Sequence, residues 1–166
     1  MRRLLLGSVT AKVLHDMTVP VSTVSHLTGI APGPYKSVLA AVDSSDEAET
    51  VVRAASALAA SYGARLRLAY VLEMPPVDAE TAFGVYREDM IAAAKERVAE
   101  IQARAGTDAP LAILDGPVAA AIAEEARRLG ADLIVTGRGR TQNTFGRMWS
   151  HLYPIVRHAP CPVLSI

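Results

Sequence analysis

The sequence predicts an α/β protein, an open parallel sheet with helices on both faces. Three observations lead there. Short apolar runs alternate with longer stretches of helical spacing, strand and helix in turn. The runs are apolar at almost every position, as strands covered on both faces are. Glycine or proline separates one kind of segment from the next.

Ser37–Val42 (SVLAAV) is the first strand of the main body, ended by Asp43-Ser44-Ser45. Ser44 with Glu47 fits a capping box that opens a helix. Val51, Ala55, Leu58 and Ala59 share one face of it, and Gly63 closes it. Arg65–Val71 reads as the second strand, and Met74–Val77 as a Pro-bearing connection. Ile91, Ala94, Val98 and Ile101 form the stripe of a long helix that stops at Gly106. Leu111–Leu114 is a third strand, with Asp115 as a turn and helix-start residue. Pro117 suits the first turn of a helix running to Leu129, which Gly130 terminates. Asp132–Thr136 (DLIVT) is the fourth strand, Gly137-Arg138-Gly139-Arg140 a loop, Met148–Arg157 a last helix and Cys161–Ile166 a last strand. Such alternation implies right-handed crossovers, and ligands in such sheets bind beyond the carboxyl ends of the strands, where strand order reverses. Asp43 and Gly137–Gly139 both fall just past strand ends.

Composition narrows the class. A chain of 166 residues, 51% hydrophobic, is expected to hold one domain with a sizeable core. Basic and acidic residues balance at 17 each and aromatics reach only 5%, which argues against a nucleic-acid-binding surface. Cys161 is the single cysteine, so no disulfide forms within the chain and a reducing cytoplasm is the expected home. The apolar run of MRRLLLGS is too short for a signal peptide, and Lys12 and Asp16 interrupt the residues after it. The alanine-rich segments carry Arg and Glu at helical spacing, so no membrane span is expected.

The ending of the chain is written twice. Residues 5–24 (LLGSVTAKVLHDMTVPVSTV) lie without gaps on residues 147–166 (RMWSHLYPIVRHAPCPVLSI), an offset of 150 − 8 = 142. Ser8 falls on Ser150, Pro20 on Pro162 and Val21 on Val163, while Val13/Ile155 and Val24/Ile166 pair as apolar residues. Pattern more than letters carries the likeness, and two unrelated helix–strand endings would share some of it. Residues 1–24 therefore read as the helix and strand that close another domain copy. Residues 25–34 read as a linker broken by Gly29, Pro32, Gly33 and Pro34, and residues 35–166 as a whole domain.

At VLAAVDSS, GADLIVTGRGR and VRHAPCPVL the sequence resembles the universal stress protein family, over essentially all of residues 35–166. In the tail, LLLGSVTAKVL is close to that family's usual wording. The resemblance implies a Rossmann-like sheet of five strands in order 3-2-1-4-5. It also implies dimers or tandem copies paired through the last strand, often a bound ATP, and a role in stress survival as a regulator more than an efficient enzyme. On that basis Val19–Val24 should lie antiparallel to Cys161–Ile166 as an extra edge strand, with residues 9–15 helical. The linker, about ten residues, reaches roughly 30 Å when extended, enough for this return. Swapping of the tail onto a second chain is the alternative.

ATP-binding members carry Gly-x2-Gly-x9-Gly-Ser/Thr after the fourth strand. The glycines let backbone N–H groups approach the phosphates, and a hydroxyl at a helix N-terminus adds to the dipole there. Here Gly137 and Gly139 are one residue apart, and Trp149 stands where the family has glycine, in a phosphate's space; Ser150 remains. Gly7-Ser8 keeps the intact pair, but in the tail. The resemblance thus marks Asp43 for the nucleoside, Val71 for adenine, and Gly137, Gly139 and Ser150 for the phosphates. Each also has a plainer role: Asp43 as a helix cap, Val71 as core, the glycines as a tight turn.

Arg138, Arg140 and Arg147 surround the loop, either as an anion site or as a solvated face. His151 and His158 share a helix without a Cys or acidic residue spaced to join them, so no metal is expected. Cys161 reads as inert packing. There is no Walker lysine, no nucleophile elbow and no pair of carboxylates beside the loop, so an enzyme is not expected, with weak ATP hydrolysis left open. Two functions remain: a regulatory or interaction module with a degenerate ATP site, or an ATP/AMP sensor using the crevice between the first and fourth strands.

Overall fold

A computed structural model describes residues 12–14, 16–24, 34–73, 80–138 and 149–166; side chains at 80–86 and 149–150 are not described. The strands are β1 (Val21–Thr23), β2 (Ser37–Val42), β3 (Arg65–Leu72), β4 (Leu111–Asp115), β5 (Leu133–Thr136) and β6 (Val163–Ser165). The helices are α1 (Ala48–Tyr62), α2 (Glu80–Ala105), α3 (Val118–Leu129) and α4 (Trp149–His158). In the tail, residues 12–14 and 16 are also helical.

Among the described residues the sheet has six strands, in the order β1-β6-β5-β2-β3-β4. The strands from β2 to β6 are mutually parallel, and β1 joins the far edge antiparallel to β6. The chain leaves β2 toward β3 and leaves β5 toward β6, so the crossovers diverge between two neighbouring strands. That divergence is the switch point of the sheet.

Alternation along each strand divides the core in two. Val38, Ala40, Leu68, Leu133 and Val135 face α1 and α2, meeting Val51, Val52, Ala55, Val98 and Ile101. Leu39, Ala69, Ile134 and Val163 face the other way, toward Ile122 and Ala126 of α3 and Leu152, Ile155 and Val156 of α4. Leu14 of the tail is fully buried in this second cluster. At the opening end of the sheet, Asp132 accepts hydrogen bonds from the backbone N–H groups of Lys36 (2.8 Å) and Ser37 (3.1 Å), tying the start of β2 to that of β5. Gly63 and Gly130 end α1 and α3 in the left-handed region (φ 63° and 61°), where a side chain would be strained.

Three local expectations change. The capping box does not form: α1 opens at Glu47 with no side-chain cap, and Asp43 Oδ1 instead accepts from the backbone N–H and hydroxyl of Ser45 (3.0 and 2.6 Å). An Asp just past a strand finds its own turn more readily than a serine finds a donor three residues on. Asp115 is the last residue of β4, held by Arg87 at 2.5 Å, so strand pairing with Leu72 outlasts the apolar run. Pro117 is the residue that caps α3 rather than one of its first turn.

Candidate functional site

Register places three of the five marked residues at one edge. Val42 pairs with Tyr70, so Asp43 and Val71 stand at the same level beyond and within the ends of β2 and β3. Ala41 pairs with Thr136, so Gly137 follows at the same edge of β5. Asp43 is half-buried, Val71 is half-buried against the cluster under α3 and α4, and Gly137 is buried. Gly139 lies outside the described residues, as does the side chain of Ser150. The same holds for Arg140, Arg147 and the Trp149 side chain, so its blocking role falls there too. Backbone positions put Trp149 and Ser150 at the start of α4.

Asp43 has a defined chemistry. Both of its hydrogen bonds fall on Oδ1, which fixes the carboxylate against the Ser45 turn. A carboxylate held this way can accept a donor from a hydroxyl or an amine on its second oxygen. Val71 offers only an apolar surface.

Arg138 is where the loop departs most from a phosphate cradle. The expectation of a solvated arginine is wrong: its side chain is 1% exposed, among the most buried large side chains in the protein. Nε donates to Ser165 Oγ (3.2 Å) and Nη2 to the Ser165 carbonyl (3.1 Å). Nη1 and Nη2 also donate to the carbonyls of Met17 and Val19. These acceptors lie on β6 and the tail, on the side of β5 away from β2. The guanidinium therefore points out of the β2/β5 crevice and into the seam with β1.

One contact across the edge escaped local reading. Glu73, just past β3, meets His151 in the first turn of α4 at 3.3 Å between Oε1 and Nε2. A spacing argument looks along one helix and misses a partner 78 residues earlier (151 − 73). Cys161 is buried, and desolvation, with the Asp132 charge second, pushes its thiol up to about 12. Such a thiol is neither nucleophile nor ligand near neutral pH. Among the described residues no three His, Cys, Asp or Glu converge on a metal position, and no helix is long and apolar enough to cross a membrane.

Residues 34–166 match the model of the universal stress protein family. The chain belongs to that family. A Thermus aquaticus relative, "Universal stress protein in QAH/OAS sulfhydrylase 3'region", is 34% identical over 136 residues, covering 80% of this chain and 98% of its own length. Among solved structures, a functionally unknown protein from Pseudomonas aeruginosa PAO1 is similar at a TM-score of 0.71 and 21% identity. That match covers 98% of this chain, tail included, but only 57% of the Pseudomonas chain. A universal stress protein solved in complex with cAMP is similar at a TM-score of 0.58 and 23% identity, over 81% of this chain and 98% of its own.

Proposed function

We propose that this universal stress protein is a cytoplasmic, non-enzymatic stress-response module that works through protein contacts, with a degenerate adenine-nucleotide site between β2 and β5. The observation that carries the reading is Arg138. The one cation between the two loop glycines is spent on the carbonyls of β6 and the tail, so its charge is not turned toward a phosphate in the crevice. The short Gly-x-Gly spacing and Trp149 at the head of α4 act in the same direction.

The second reading, an ATP or AMP sensor, has its own support. Asp43, Val71 and Gly137 share one strand-end edge at the switch point, and a structural relative binds cAMP. Calorimetric titration of ATP, AMP and cAMP into the full chain separates the two. The first reading expects no saturable heat up to about 1 mM ligand, an affinity weaker than about −4 kcal/mol. Saturable binding in the micromolar range, lost in Asp43→Ala, would establish the sensor and end the first reading.

A further inference from the structure

Arg138 is rooted midway between the crevice and the tail. It follows Gly137 directly beyond β5, and β5 runs between β2 on one side and β6 on the other. Thr136, the last residue of β5, pairs with Ala41 of β2 and with Ser165 of β6. Neighbouring strands are about 4.8 Å apart, so the ends of β2 and β6 lie at similar distances from the root of this side chain. The guanidinium takes the β6 side. It reaches Ser165 and, past it, the carbonyls of Met17 and Val19.

The hold on that side is modest. Met17 and Val19 are 42% and 53% exposed, so the segment that supplies their carbonyls lies at the surface. Among the described tail residues only Leu14 is fully buried, and β1 adds a ladder of three residue pairs. Arg138 is therefore a large part of what fastens the tail. Its acceptors there, the Ser165 hydroxyl and three carbonyls, are neutral oxygens. A phosphate is an anion that fits the guanidinium fork bidentately, and so is a stronger partner for the same N–H groups.

We infer that the docked tail is an autoinhibitory contact: the tail and a polyphosphate in the β2/β5 crevice compete for Arg138. The two sets of acceptors lie on opposite sides of β5, so one guanidinium cannot serve both. Release of the tail frees Arg138 to turn toward the crevice and donate to a phosphate. By reciprocity, a nucleotide that captures Arg138 loosens the tail by the same factor. The inference rests on reading the crevice as a nucleotide site, and it adds what keeps that site weak.

The test compares two ways of loosening the tail in the full chain. Leu14→Asp puts a charge into the apolar cluster under α3 and α4, so the tail should leave and the β6-facing amides of Val21–Thr23 should exchange at least about tenfold faster. Calorimetric titration should then show ATP bound at about 100 μM or tighter, at least about tenfold better than by the unaltered chain. Arg138→Met loosens the tail too but should gain no affinity for ATP. Leu14→Asp combined with Arg138→Met should bind no better than Arg138→Met alone. Where faster exchange in β2 and β3 shows that Leu14→Asp disturbs the body, Leu14→Ala is the milder substitute. No gain in a chain whose tail amides exchange freely would overturn the inference. An equal gain in Arg138→Met would do so as well, because the tail would then be a steric cover and not a rival for the cation. Micromolar ATP binding by the unaltered chain would end the degenerate-site reading instead, and the comparison with and without Arg138 would still judge the competition.

Discussion

Arg138 is a buried cation on a loop, and its neighbours explain why it is tolerated there. A guanidinium leaves water at low cost only when its N–H groups meet oxygen, and this one meets Ser165 and two tail carbonyls. Arg138→Met keeps the volume and removes the donors. The carbonyls of Met17, Val19 and Ser165 then lose a charged donor, while Ser165 Oγ keeps its bond to the Val21 carbonyl, which weakens tail docking by about 3 kcal/mol. Amide exchange at Val21–Thr23 should rise about 100-fold, with β2 and β3 little changed. Unchanged exchange there would mean that the clamp contributes nothing. Arg138 also marks a limit of reading along the chain. A local window sees three arginines near two glycines and returns a solvated loop; the acceptors on the tail lie more than a hundred residues earlier. Asp43, by contrast, was legible in position because strand ends are local, although its partner, Ser45, was not the expected one.

At the scale of elements, α3 is tied to the sheet by Glu125. Its carboxylate is 4% exposed and takes hydrogen bonds from Arg128 (2.6 and 2.7 Å) on its own helix and Arg67 (3.2 Å) on β3. The Arg128 hydrogen bond, ahead of the Arg67 one, holds its pKa below the ordinary 4.5, against the opposing effect of burial. A depressed carboxylate contributes stability that is present above the unfolded pKa and lost as pH falls through the folded one. Urea midpoints should therefore drop as pH is lowered below about 4.5. Glu125→Gln should lose about 2 kcal/mol at pH 7 and flatten part of that acid dependence, and an equally steep acid limb in the variant would refute the assignment. The helices and body strands were readable because apolar spacing, closing glycines and proline are written in consecutive residues. Their ties, such as Arg67 to Glu125 and Glu73 to His151, join distant segments and leave no periodic trace.

At the scale of the whole molecule, the tail supplies the edge strand of the sheet among the described residues and part of one core face. Leu14 fills the cluster under α3 and α4, β1 pairs the β6 edge, and Arg138 locks both. The doubled ending, read with the family resemblance, made the pairing predictable, while the hydroxyl bonds from Ser165 to the Val21 carbonyl and from Thr23 to the Val163 carbonyl and the Arg138 clamp needed coordinates. Removing residues 1–24 uncovers the Leu14 site and an unpaired strand edge, which is a template for association. Sedimentation of that truncation should show concentration-dependent self-association, and a protein as soluble and as small as before would count against a covering role. The most direct test is residue-resolved hydrogen exchange on the intact chain. The amides of Val21–Thr23 that face β6 are expected to be protected together with those of Val163–Ser165, as two strands of one ladder, while the outward-facing ones of the edge strand exchange. Exchange of Val21–Thr23 at the rate of an unstructured peptide, with β6 still protected, would contradict a tail that belongs to the sheet.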